Sequence, residues 1–404
     1  MTHINKKSQK VVSGMRPTGK IHLGNYHGAL KQWLHLQHKY ECFFFIADFH
    51  ALTTDYEDPR KIKQYCEDLA VDWLAAGLNP KDCKIFIQSR VPEHAELHLL
   101  LSMMTPLSWL ERVPTYKDQQ EKLKNRDLST YGFLGYPVLQ SADVLLYRAS
   151  LVPVGEDQVA HIELMREIAR RFNHIYGRGA DFHEVSDKII SGKLGKKNAK
   201  VFRNFMKQYQ EQGNKEALLK GKAMLDELGH LTLTEQEHLK AFLDGTGKTI
   251  LIEPEAILTK SAKICGIDGQ KMSKSYNNTI GLGESTDSIW SKIKVMPTDP
   301  ARIKRTDPGD PNKCPVWNLH DVYSNEETKN WVQLGCKSAN IGCVDCKKCL
   351  ADEIDAEQVP IRERVKDLEN DKTLINNILD EGAHAARNEA KITINDIKES
   401  MGLL

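Results

Sequence analysis

Lys271-Met272-Ser273-Lys274-Ser275 sets two lysines three residues apart in a short serine-bearing segment with turn-rich flanks, 266–270 and 276–279. Lysine is a mobile point charge on a long stem. Two such stems on an exposed loop can close over a polyphosphate and spread the charge that develops as it leaves. Alone, this spacing is common and describes a solvated face. Its weight comes from a stretch far upstream, Pro17-Thr18-Gly19-Lys20-Ile21-His22-Leu23-Gly24-Asn25. Free N–H groups at a helix start and the helix dipole attract an anion, and small residues let a nucleotide approach the backbone. An ordinary strand-to-helix turn would carry the same residues.

Three further groups could do chemistry. Gly155-Glu156-Asp157-Gln158 opens a helix. Its acids are either caps in a first helical turn or acceptors for ribose hydroxyls. Asp143 stands in the otherwise apolar run 134–147. Burying an ionised group without partners is expensive, so Asp143 either pairs within the protein or waits for a ligand N–H. Five of the nine cysteines, Cys314, Cys336, Cys343, Cys346 and Cys349, crowd one segment. In a reducing compartment that crowding points to a metal or cluster more than to disulfides. The run Cys-x2-Cys-x2-Cys is similar to cluster-binding spacing in ferredoxins, but four thiolates equally suit structural Zn²⁺. Lys347 and Lys348 beside them are either phosphate contacts or solvated surface.

These residues need a frame. Strands are expected at 10–15, 42–47 and 84–88, with helices at 25–40 and 59–77 between them. Alternating strands and helices argue for a parallel α/β sheet with right-handed crossovers. Active residues then collect at the carboxyl ends of the strands, where 16–25, 48–50 and 88–90 fall. Helices follow at 93–104, 107–113 and from about 158 to 176, with Lys117 in a polar, charged stretch, 116–127. Residues 186–224 hold ten Lys/Arg against three acids and read as a helical exposed segment. That bias is either a solvated face or a nucleic-acid contact. After Ser285 the pattern is helical, ending in a long amphipathic helix from Asp371.

The 404 residues allow two or three domains. Lys+Arg 56 against Asp+Glu 55 declares no nucleic-acid partner, so any basic surface is local. No apolar run approaches a membrane span, and the polar N-terminus lacks a signal-peptide core, so a soluble cytoplasmic protein is expected.

The ordered set Pro17-x-Gly19, His22-Leu23-Gly24-Asn25, Ser141 to Tyr147, Gly155 to Gln158 and Lys271 to Ser275 resembles the bacterial tryptophanyl-tRNA synthetases of class I. The likeness spans 13–404 apart from the segment near 184–247. It implies a Rossmann-like parallel-sheet catalytic domain (1–183 and 248–284) interrupted by the basic insert 184–247. A helical anticodon-binding domain, 285–372, and a closing helix, 373–404, complete the expected plan.

The resemblance also implies roles. His22 would donate to the α-phosphate of ATP, with Asn25 where the family motif has a second histidine. Arg16, Pro17, Thr18, Gly24 and Asn25 would line the adenine and phosphate site, and Gly155, Glu156 and Asp157 the ribose. Lys117, Lys271 and Lys274 would grip pyrophosphate with Mg²⁺, the loop of Met272, Ser273 and Ser275 closing over ATP. Asp143 would accept the indole N–H of L-tryptophan, and Tyr136, His50 and Gln158 would hold its amino and carboxylate groups. Cys314, Cys336, Cys343 and Cys346 match a four-cysteine subset that holds a [4Fe–4S] cluster, with Zn²⁺ or an empty site as alternatives. Cys349 is one thiol too many. tRNA(Trp) and a second copy of the chain are the implied partners.

Overall fold

A computed structural model describes residues 9–113, 129–177, 181–245, 249–258 and 264–404. Lys117 and the stretch around it lie outside the described residues. Five strands, β1 (Lys10–Met15), β2 (Glu41–Ile46), β3 (Cys83–Ile87), β4 (Leu151–Val154) and β5 (Glu255–Leu258), form one sheet in the order β3-β2-β1-β4-β5. β1 runs parallel to β2, with Lys10 opposite Glu41 and Met15 opposite Ile46, and β2 parallel to β3. The apolar run of β2 is buried, as a strand covered on both faces must be. Trp33 stacks on Phe44 at 4.6 Å, and Trp73 meets Trp33 edge-on at 5.1 Å.

The chain steps outward from β1 to β2 and β3, then returns to place β4 on the other side of β1. That reversal is a topological switch point, where open α/β sheets bind ligands beyond the carboxyl ends of their strands. β1 ends at Met15, just before the glycine turn, and β4 ends at Val154, just before Gly155.

The expected helix at 25–40 is interrupted. A short turn, Leu23–Asn25, passes into a π-helical turn, Tyr26–Leu30, and then an α-helix, Lys31–Leu36. Single π turns are often found at functional sites. The main helices that follow are α1 (Ile62–Ala76), α2 (Glu93–Ser102), α3 (Tyr131–Leu145) and α4 (Val159–Tyr176). The basic segment is four helices, α5 (Phe182–Lys193), α6 (Gly195–Gln212), α7 (Lys215–Asp226) and α8 (Leu233–Asp244). They close around their own core of Ile190, Phe202, Leu225, Leu239 and Leu243. Beyond the sheet come α9 (Thr286–Lys294), α10 (Pro315–Tyr323), α11 (Glu326–Lys337), α12 (Cys343–Glu369) and α13 (Lys372–Ser400).

Contacts divide the chain into two compact units. One holds the chain through Val91, Pro153–Val159 and Ala256–Ala386; the other holds Pro92–Val152, Ala160–Glu255 and Arg387–Leu404. Within the first, α12 braces the phosphate turn. Lys31 Nζ donates to Glu357 at 3.1 Å, His27 Nε2 lies 3.1 Å from the same carboxylate, and Lys20 pairs with Glu369 at 2.8 Å. Gly283 N donates to Gln358 at 2.9 Å. Among the described residues no helix is long and apolar enough to cross a membrane.

Candidate active site and thiol cluster

His22 caps the short turn that follows it. Its Nδ1 accepts from Asn25 N at 3.3 Å, and its own N donates to Asn25 Oδ1 at 3.4 Å. With Nδ1 accepting, the proton sits on Nε2, which is left to donate. Burial, with help from the charge on Lys274, pushes the imidazole down to about 4. The ring is therefore neutral near pH 7, a donor without a charge. Asn25 spends its carboxamide oxygen on the cap and keeps its NH₂ as the donor end. Gly24 makes this possible: a Cβ there would lie 2.9 Å from His22 Cε1 and Nδ1.

The lysine loop meets this turn directly. Lys274 Nζ donates to the Thr18 carbonyl at 2.9 Å and reaches Thr18 Oγ1 at 3.4 Å. Leu23 N donates to Ile280 O at 2.9 Å, and Leu282 N to Ile21 O at 2.8 Å, so the loop's end is tied to the turn. Gly19, at φ +93°, takes a left-handed conformation, and a Cβ there would lie 3.7 Å from Lys274 Nζ. Burial lowers the Lys274 pKa, while Asp72 and Asp68 pull it back. Met272 is buried, and Ser273 N donates to Asn278 Oδ1 at 2.7 Å. Lys271, Lys274 and Ser275 are exposed.

Two residues here escaped the sequence reading. Asp72, on α1, accepts from Ile21 N at 2.6 Å and holds the turn's backbone. Burial pushes its carboxyl up to about 7. Asn278, buried, donates to the Lys271 carbonyl at 3.1 Å and to Asp268 at 2.8 Å, so it fixes the loop's base. No spacing rule joins Asp72 to Ile21, and Asn278 reads as a turn residue.

The remaining expected ligands divide between the two units. In the first, Arg16 donates to Thr54 and lies 3.5 Å from Asp55, while His50 is buried on the helix Asp48–Asp55. Glu156 and Asp157 are exposed, and neither caps the turn Glu156–Gln158. Gln158 Nε2 donates to Asp157 at 3.1 Å. In the second, Asp143 is 1% exposed and accepts from His94 Nδ1 at 2.7 Å. His94 Nε2 lies 2.8 Å from Tyr147 OH, and Tyr136 OH lies 3.1 Å from His161 Nε2. Asp143 is thus paired inside the protein, through a histidine 49 residues away in sequence.

The cysteines lie on three elements: Cys314 before α10, Cys336 on α11, and Cys343, Cys346 and Cys349 on α12. The close run is helical, starting earlier than the expected helix at 354–368. Burial pushes the Cys346 thiol up to about 12, and Cys314, Cys336, Cys343 and Cys349 each add to the rise. Burial, Glu353 and Asp352 raise the Cys349 thiol. Steps of three on a helix rotate it away from Cys343. The chemistry of four thiols suits a soft metal centre. Among the described residues no three ligating side chains stand close enough together to hold a metal ion. His320, unforeseen, lies 3.3 Å from Cys346 Sγ, and Arg302 Nη1 donates to Cys336 Sγ at 3.7 Å. Lys347 is neither a phosphate contact nor solvated. It is buried and donates to the carbonyls of Lys294 and Met296 at 2.9 and 2.5 Å.

A family model for class I tRNA synthetases of the tryptophan and tyrosine kind matches residues 5–211 and 225–357. The chain belongs to this family. Among relatives, a tryptophan–tRNA ligase from Ralstonia nicotianae is 54% identical over 98% of both chains. One from Thermotoga maritima is 42% identical over 98% of this chain and 99% of its own. A solved tryptophanyl-tRNA synthetase from Campylobacter jejuni, complexed with ADP and tryptophan, aligns with a TM-score of 0.73. It is 29% identical, over 98% of this chain and 100% of its own. A parallel sheet with helical elements after it is what a class I synthetase fold requires, and it is the fold expected from the residues.

Proposed function

We infer that the chain is a tryptophan–tRNA ligase, which activates L-tryptophan with ATP and transfers it to tRNA(Trp). The observation that carries this is the seat of Lys274 on Thr18, which joins the lysine loop to the glycine turn beside a neutral histidine donor. The tryptophan carboxylate attacks the α-phosphate and pyrophosphate leaves. Catalysis is positioning and charge stabilisation. His22 Nε2–H donates to an α-phosphate oxygen as its charge grows, and Asn25 adds a second donor. Arg16, Pro17, Thr18, Gly24, Met272, Ser273 and Ser275 line the nucleotide, and Gly155, Glu156 and Asp157 take the ribose. Lys271, Lys274 and Lys117 carry pyrophosphate charge. Mg²⁺, when bound, shares that charge.

Asp143 accepts the indole N–H, and Tyr136, His50 and Gln158 hold the amino acid's polar end. A phenyl ring would leave the acid's acceptor unmet, which costs about 1–3 kcal/mol or more. Cys314, Cys336, Cys343 and Cys346 would hold a [4Fe–4S] cluster, which would serve as a structural crosslink orienting the helical domain for the anticodon rather than as an electron carrier. The protein works in the cytoplasm as a homodimer, as the family resemblance implies. Pyrophosphate exchange with ATP decides the function: tryptophan should support it and tyrosine should not. Exchange with tyrosine, or with no amino acid, would sink the reading. Iron and sulfide assayed on the same anaerobic sample test the cluster, and one zinc per chain without sulfide would replace it.

A further inference from the structure

The insert α5–α8 separates its charges. Lys188, Lys193, Lys220 and Lys222 each pair with a carboxylate of the insert at 2.7–3.0 Å, and Lys240 pairs with Asp226. Lys196, Lys200 and Lys207, on α6, are exposed and have no carboxylate partner among the described residues. With Arg203, which lies 3.3 Å from Asp187, they recur along α6 in steps of four, three and four. That spacing draws one stripe along a helix over about 16 Å. A different side of α6 carries Ala199, Phe202, Phe205 and Met206 into the insert's core, and the stripe itself is exposed.

The stripe is built against local stability. Lys196 and Lys197 occupy the first turn of α6, where the dipole favours acids, and that turn has none. Like charges three and four apart repel. A row that weakens its own helix, in an insert whose other lysines are mostly matched, indicates a polyanion partner. The chain's near-zero net charge makes this a local feature.

We propose that the outer face of α6, through Lys196, Lys200, Arg203 and Lys207, binds the phosphodiester backbone of the tRNA substrate without reading its sequence. This rests on the ligase reading for the identity of the RNA. The contact neutralises phosphates and releases counterions, so it is salt-dependent.

The test uses the full-length chain with Lys196→Ala, Lys200→Ala and Lys207→Ala combined. Alanine favours helix, so the fold should hold. Tryptophan-dependent pyrophosphate exchange should stay at the parent level. KM for tRNA in aminoacylation, and Kd for a tRNA transcript by direct titration, should rise about tenfold or more. The slope of log K against log salt should fall by about 2, for three lost phosphate contacts. Replacing the paired Lys188 and Lys220 with alanine should change neither. Lys200→Glu alone gives a second arm if the triple variant is poorly folded, and should weaken tRNA in the same direction. Unchanged Kd and salt slope with exchange intact would overturn the proposal. A parent chain that binds tRNA through these lysines but lacks exchange would overturn the ligase reading instead.

Discussion

His94 Nδ1 lies 2.7 Å from Asp143 Oδ1, with both side chains shut off from solvent. A carboxyl oxygen facing a ring nitrogen accepts, so Nδ1 carries the proton and Nε2 accepts from Tyr147 O–H at 2.8 Å. Burial, with Asp143 and Glu93 nearby, holds the Tyr147 phenol well above its ordinary value, so it stays a donor. The chain of bonds aims the acid that should select indole. His94→Ala should raise KM for tryptophan about tenfold, the scale of a lost buried partner. KM for ATP should hold, and His94→Asn, which keeps a donor, should recover part of the loss. Equal damage to both substrates would mean that His94 serves the fold.

Gly24 tests the phosphate turn. In Gly24→Ala the new methyl would press on the imidazole at 2.9 Å and displace it from Asn25 N. A donor misplaced by about an ångström costs on the order of 10²-fold in rate. Adenylate formation should slow by that much while tRNA binding is kept. A rate within a few fold of the parent would remove His22 from the mechanism.

Lys274→Ala should slow adenylate formation far more than it weakens tryptophan binding. It should also show in the pH response of His22. Burial and the Lys274 charge hold that ring near 4, so it protonates only in strong acid. Removing the second cause should move its midpoint up, toward but short of the ordinary 6.5. The His22 Cε1–H resonance followed through a titration measures this, and a midpoint unmoved by the substitution contradicts the contact.

Asp72 gives a stability prediction with an unusual sign. Its folded carboxyl keeps its proton to about 7, whereas the unfolded chain releases it near 3.8. The folded state therefore binds more protons across that window, and this group's contribution falls as pH rises. Asp72→Asn keeps an oxygen for Ile21 N and has nothing to ionise. Urea melts should show the variant gaining on the parent between pH 4 and 7, and a gap that is flat with pH would refute the burial argument.

Cys346 and Cys349 test which thiols hold the proposed cluster. The proposed cluster predicts that Cys346→Ser abolishes iron and sulfide retention in anaerobic protein, along with any brown absorbance. Cys349→Ser should leave both in place, because Cys349 stands outside the proposed four-cysteine set. Equal loss in the two variants would make Cys349 a ligand.

Residue types and short spacings determined much of this protein. The buried run of β2, the glycine turn after β1 and the lysine loop are local patterns, and each follows from backbone freedom, period and charge within about ten residues. They gave the parallel sheet and the family, and they set the chemistry proposed for the phosphate end. Tertiary structure decided the partners. Asp72 reaches Ile21 across 51 residues, His94 reaches Asp143 across 49, and Lys274 reaches Thr18 across 256. It also turned Lys347 inward, because α12 begins at Cys343, earlier than its apolar pattern suggests. Which buried polar group meets which is set by how distant elements pack, and no local periodicity encodes that.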